Sequence, residues 1–221
     1  MTRRRRRLPR RPPLVLGLTG SIGMGKSSAG RMLRRLGLPV HDADEAVHEL
    51  LGPGGGAVAA VEAAFPGVNT GAGIDRDKLG ARVFADAAAL RRLEAILHPA
   101  ARAATRRFLR RQAHRRQPLA VLDIPLLFET GGERLCDAVV VVTAPPFVQQ
   151  ARVLARPDMT PARWRAVQAR QMPDRDKRRR ADFVVHTGLS RRHTLRQLAA
   201  IVRLLRRRRQ PARPRTRNRR S

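Results

Sequence analysis

Gly20-Ser21-Ile22-Gly23-Met24-Gly25-Lys26-Ser27 matches the phosphate-binding pattern G-x-x-x-x-G-K-[ST] at every fixed position. Glycines let the backbone curl so that successive N–H groups point inward and form a nest for oxygen anions. Ser21, Ile22, Gly23, Met24, Gly25, Lys26, Ser27 and Ser28 are the expected contacts of a nucleoside triphosphate. Lys26 would reach the β- and γ-phosphates, and the Ser27 hydroxyl would ligate Mg²⁺. Two further acidic positions stand out. Asp42-Ala43-Asp44 follows a short apolar run and can bring a carboxylate to face the γ-phosphate, the group an acceptor hydroxyl needs. Asp123 ends a second apolar run, where a carboxylate can hold Mg²⁺ directly or through water, or can simply cap a turn. The chemistry these residues suit is phosphoryl transfer; the loop does not name the acceptor.

Such a loop needs a strand before it and a helix after it. Leu14-Val15-Leu16-Gly17-Leu18-Thr19 reads as a buried strand, and Ala29, Met32, Leu33 and Leu36 fall at helical spacing behind the loop. Gly37 stops that helix, and Leu38-Pro39-Val40-His41 reads as a second strand leading to Asp42. After the Gly-rich break at 52–56, residues 57–116 carry helical patterns and no strand pattern, with His98-Pro99 expected to interrupt the last of them. This stretch reads as a helical acceptor-binding insertion. Strands follow at Leu119–Leu122, Val139–Val142 and Phe183–Val185, then an amphipathic helix through Leu195, Leu198, Ile201, Val202 and Leu205. Residues 152–180 are rich in arginine and poor in large apolar side chains, which suits a lid that closes over the triphosphate. The expected fold is α/β: three layers around a five-stranded parallel sheet, with ligands beyond the carboxyl ends of the strands.

Composition bounds the rest. An apolar fraction of 42% can build one core, made mostly of Leu, Val and Ala because aromatics are only 3%. Cys136 is the single cysteine, which rules out an intramolecular disulfide and fits a reducing compartment. No apolar run is long enough for a membrane span, and a cytoplasmic protein is expected. Of the net charge of +30, seven arginines lie in residues 1–13 and nine in residues 206–221, stretches with no acid at all. These ends read as disordered basic tails, able to bind nucleic acid only nonspecifically through phosphates. A monomer is the expected state, with an oligomer left open.

Several separated signatures give the chain a family. Gly17 to Ser27, Asp42-Ala43-Asp44, Ile74-Asp75-Arg76 before Val83-Phe84, and Leu97-His98-Pro99 are joined by Pro125-Leu126-Leu127-Phe128-Glu129. Gln171-Met172-Pro173 with Lys177 and Ala181-Asp182-Phe183-Val184-Val185 complete the set. In this order, over roughly residues 14–205, the chain resembles the dephospho-coenzyme A kinases. The resemblance implies transfer of the ATP γ-phosphoryl to the ribose 3′-hydroxyl of dephospho-coenzyme A, the last step of coenzyme A synthesis. It implies Asp44 as base or hydroxyl-orienting group beside Lys26, with Asp42 in support. Arg76, Phe84, Leu97, His98 and Pro99 fall where the family holds its acceptor, although His98 could equally be a buried structural histidine. Arg152 and Arg156 look like arginines between core and lid that touch phosphates. One departure is His186-Thr187-Gly188, where many members have Asn near the end of the last strand; Thr187 or backbone could replace a contact to the nucleotide base. Two rivals remain: another small-molecule kinase with this loop, and a nucleic-acid-binding protein using its basic ends.

Overall fold

The computed structural model describes residues 12–84 and 86–209. Residues 1–11 and 210–221, most of the two basic tails, lie outside the described residues. Five strands form one sheet: β1 (Leu14–Thr19), β2 (Val40–Asp42), β3 (Leu119–Asp123), β4 (Ala138–Thr143) and β5 (Phe183–His186). All pairings are parallel, in the order β2-β3-β1-β4-β5. Every residue of β3 and β4 is buried, which is why these strands read as unbroken apolar runs. Side chains alternate between faces with the period of two that a strand imposes. Leu16 and Leu18 of β1 pack with Leu33 of α1 (Lys26–Arg35) and Leu198 of α9 (Arg191–Arg209). Val15 and Leu122 point the other way, onto Phe108 of α5 (Ala87–His114). These are the three layers the sequence implies.

The insertion has an apolar core of its own. Val61 of α3 (Val58–Ala64), Leu79 of α4 (Arg76–Phe84) and Leu93 of α5 meet Phe65, Val68 and Ile74 there. Leu51, with Val47 and Leu50, joins them from α2 (Ala43–Leu51), so this core begins before residue 57. The expected break at His98-Pro99 is absent: α5 is one 28-residue helix with Pro99 inside it. A proline inside a helix costs about 3 kcal/mol. Leu93 before it and Phe108 after it are buried in different cores, and each contributes roughly 1.5–3 kcal/mol. Anchorage on both sides thus holds the helix through the proline.

The arginine-rich stretch divides in two. α7 (Pro161–Ala169) buries none of its residues. Residues 171–180 are bolted to the core instead. Lys177 of α8 (Asp174–Arg180) is fully buried, with Nζ 2.9 Å from Glu129 Oε1. Thr143 Oγ1 donates to Asp174 Oδ2 at 2.9 Å. At the other boundary α9 continues to Arg209, so Arg206–Arg209, assigned to the tail from the sequence, are helical.

Candidate active site

The loop between β1 and α1 takes the strand–turn–helix path its sequence requires, with α1 starting at Lys26, one residue before Ser27. Gly25 caps α1 at φ 90°, a left-handed conformation that an L side chain resists. A Cβ there would also stand 3.0 Å from Thr187 Oγ1. The result is a helix N-terminus with unpaired N–H groups aimed at a cleft of about 560 Å³. Ser21, Ile22, Gly23, Gly25, Lys26, Ser27 and Ser28 line it, together with Asp44, Pro125, Arg152 and Arg156. Met24 does not; its side chain is buried, its Sδ accepts from Ala144 N–H, and its own N–H already donates to Ser21 O at 3.1 Å. The Ile22 N–H is taken by Gln171 Oε1 at 3.0 Å, so a phosphate oxygen can use it only in place of Gln171.

The three acids have separate roles. Asp42 ends β2 and caps α2, its Oδ1 accepting from Asp44 N–H (3.0 Å) and Glu45 N–H (3.3 Å). Capping fixes the start of α2 and so presents the exposed Asp44 carboxylate to the cleft. Asp123 is 1% exposed and makes an ion pair with Lys26, Nζ to Oδ1 2.8 Å. It caps no turn, contrary to one of the two sequence readings. Burial pushes its carboxyl above the ordinary value, with Lys26 opposing the shift. Helix α1 can lie this close because residue 30 is glycine; a Cβ there would sit 2.9 Å from Asp123 Oδ2. Gly→Ala inside a helix ordinarily stabilises by roughly 0.5–1 kcal/mol. Gly30→Ala is expected to lower both the melting temperature and kcat, by displacing Asp123 from Lys26. A higher melting temperature with unchanged kcat would refute that packing argument.

Protein crowding around Asp44 raises its carboxyl above the usual 3.8; Lys26 lowers it, Asp42 raises it and Arg76 lowers it. A raised carboxyl loses its ionised form sooner as pH falls. The acid limb of kcat/KM, which reports the free enzyme, is therefore expected to have its midpoint above 3.8. Arg76→Gln removes a lowering charge and should move the limb further up. A limb at or below 3.8, or a downward shift in the variant, would contradict this assignment.

Of the acceptor residues read from the sequence, Arg76, Leu97, His98 and Pro99 are not in the cleft's lining. Arg76 begins α4, and its Nη1 is 3.1 Å from His48 Nδ1 on α2. Leu97, His98 and Pro99 lie on α5; Leu97 packs against the insertion core, while His98 is exposed, which removes the buried structural reading. Phe84 ends α4, and its side chain is outside the description. Arg152, on α6 (Pro146–Leu154), is held by Thr187: Nη1 donates to Oγ1 at 3.0 Å and Nη2 to the carbonyl at 2.7 Å. The Thr187 hydroxyl donates to Met24 O at 2.8 Å. Thr187 thus ties the last strand's end to the phosphate loop, a task invisible in sequence because 163 residues separate the partners. Leu189, Ser190 and Arg191 also line the cleft and were not foreseen. Cys136 is no nucleophile, since burial pushes its thiol up to about 12.

A five-stranded parallel sheet, a glycine loop feeding a helix and a lysine–aspartate pair beneath it define the class: an α/β P-loop kinase. The family model for dephospho-CoA kinase matches residues 14–191. A dephospho-CoA kinase of Paramagnetospirillum magneticum is 62% identical over 192 residues, covering 87% of this chain and 91% of the relative. One from Novosphingobium aromaticivorans is 54% identical over 194 residues, covering 88% and 96%. A crystal structure of TT1252 from Thermus thermophilus shares the fold at a TM-score of 0.77 and 33% identity, covering 88% of this chain and 98% of that one. The chain belongs to the dephospho-CoA kinase family, as the resemblance carried by its motifs implied.

Proposed function

We propose that this chain transfers the γ-phosphoryl group of ATP to the ribose 3′-hydroxyl of dephospho-CoA, giving CoA, with Asp44 and Lys26 as the groups nearest the reaction. The observation that carries the reading is that Asp44 and the phosphate loop line one cleft, opening beyond the carboxyl ends of the strands. The loop N–H groups and the Lys26 ammonium hold the triphosphate and neutralise charge as it develops. Asp44 accepts a hydrogen bond from the acceptor hydroxyl and aligns it for in-line attack. Arg152 and Arg156, which line the same cleft, add positive charge beside the phosphates. Closure of α7 excludes water, so that the phosphoryl group goes to the alcohol. Its Trp164 is the only tryptophan and would report that motion by fluorescence. Arg76 and the exposed His98-Pro99 face of α5 are proposed to hold the remainder of the acceptor.

Magnesium suits the donor set. Among the described residues no group of three or more His, Cys, Asp or Glu could cage a metal. A cation held mainly by phosphates and water needs no such cage. Ser27 would ligate it, and Asp123 would act through water because Lys26 already occupies its Oδ1. When bound, Mg²⁺ would neutralise charge that develops on the transferred phosphoryl group. No helix among the described residues is long and apolar enough to cross a membrane. A cytoplasmic, monomeric enzyme acting on small molecules belongs to the same proposal.

An acceptor panel with γ-labelled ATP tests the reading. Label is expected in product with dephospho-CoA and only at background with shikimate, gluconate or nucleosides. Transfer to one of those alcohols, with dephospho-CoA untouched, would overturn it.

A further inference from the structure

All five strands point the same way, so the sheet has two poles. The candidate active site occupies one. At the other, three helices end beside the first residue of β1. Arg34 and Arg35 close α1, Arg115 and Arg116 follow α5, and the run 206–209 closes α9. Hydrogen bonds join these ends into one surface. Arg206 Nη2 donates to Leu36 O (3.4 Å), while Arg209 Nη1 (2.7 Å) and Leu14 N–H (3.1 Å) both donate to Pro118 O. The nearby acids are already engaged. Asp137 accepts from Val15 N–H at 2.7 Å, Asp182 from Val139 N–H at 2.8 Å, and Glu133 from Arg180 at 2.7 Å. Arg34 reaches Glu45 only at 3.9 Å. Among the described residues, Arg35, Arg115, Arg116, Arg207 and Arg208 are exposed and have no carboxylate at ion-pair distance. Outside the described residues the sequence carries twelve further arginines, seven in 1–11 and five in 210–221, and no acid.

A cation in the last turn of a helix is favourable by itself, but that effect fades within the turn. It does not account for four successive arginines on α9. Nor does it account for Arg116, which sits outside α5 at φ 55°, a position glycine takes more readily. We propose that this arginine pole is a docking surface for double-helical nucleic acid, gripped by its phosphate backbone. Guanidinium forks match phosphate oxygens in pairs, and the chain's only lysines, Lys26, Lys78 and Lys177, are elsewhere. No aromatic side chain is exposed at this pole among the described residues. That disfavours stacking on single-stranded bases and leaves none of the aromatic anchors of a membrane-surface helix.

The test uses the full chain and four labelled probes: a DNA duplex, an RNA duplex of the same sequence, a single strand, and vesicles containing phosphatidylglycerol. Both duplexes are expected to bind more tightly than the single strand or the vesicles, with affinity falling steeply with salt. Reversing Arg115, Arg116, Arg207 and Arg208 to Glu together should weaken duplex binding at least ~10-fold and flatten the salt dependence by about 0.9 per lost phosphate contact. Kinase turnover should be unchanged, because this pole is opposite the cleft. Should the fourfold variant fail to fold, the pair Arg115→Gln and Arg116→Gln is read in the same assay, with a proportionately smaller loss expected. Duplex binding unaltered by the substitutions, preference for the single strand or for vesicles, or no duplex binding by the parent chain would each overturn the proposal.

Discussion

Asp44→Ala is expected to lower kcat by about 10²-fold or more, with the melting temperature nearly unchanged. Asp44 is exposed and makes no ion pair among the described residues, so the fold does not lean on its carboxylate. Its N–H, which does bond Asp42, survives the substitution. What disappears is the acceptor for the attacking hydroxyl's proton, and positioned acid–base groups are worth about 10²–10⁴ in rate. Lys26→Ala should lose a comparable factor for a different reason: it removes charge stabilisation. It also leaves the buried Asp123 without its partner, so some stability should go with it. The two variants therefore differ in melting temperature even where their turnover is similar. An Asp44→Ala protein with near-parental kcat would take that residue out of the chemistry.

Glu129→Ala is expected to produce the largest loss of stability. Lys177 is fully buried, and Glu129 is its one carboxylate partner among the described residues. Removing one member of a buried pair leaves an uncompensated charge and costs about 3–5 kcal/mol, on the order of 10 °C in melting temperature for a domain of this size. The same Glu129 oxygen accepts from Met172 N–H at 2.8 Å, next to Gln171, which holds the Ile22 N–H of the phosphate loop. Loss of Glu129 should therefore also loosen the segment beside the phosphate loop and raise KM for ATP. Lys177→Met removes the buried charge itself and should destabilise far less. Equal melting temperatures for Glu129→Ala and the parent would show that the ion pair has no structural weight.

The sequence was most informative where function depends on contiguous residues. The phosphate loop, its strand and its helix lie within one short stretch, so spacing alone reveals them. The position of Asp44 was legible because residues just past a strand's carboxyl end lie at the ligand edge of the sheet. The sheet was legible from apolar runs. Long-range compensation was not. Pro99 signals a break locally, and only the two separate cores gripping α5 keep that helix whole. Lys177 sits among arginines that look uniformly solvated, and its burial follows from Glu129, 48 positions earlier. Gly30 reads as a weak helix residue until Asp123 is seen against it. On the acceptor side, Arg76, Leu97, His98 and Pro99 come from the family pattern alone, and none of them is in the cleft's lining.

The most direct test is a crystal structure with dephospho-CoA and a non-hydrolysable ATP analogue bound together. The account predicts the triphosphate in the loop's N–H nest, with the ribose 3′-hydroxyl within hydrogen-bond reach of Asp44, about 2.6–3.2 Å, and in line with the γ-phosphorus. A complex in which the acceptor ribose lies elsewhere and Asp44 faces only water would contradict it.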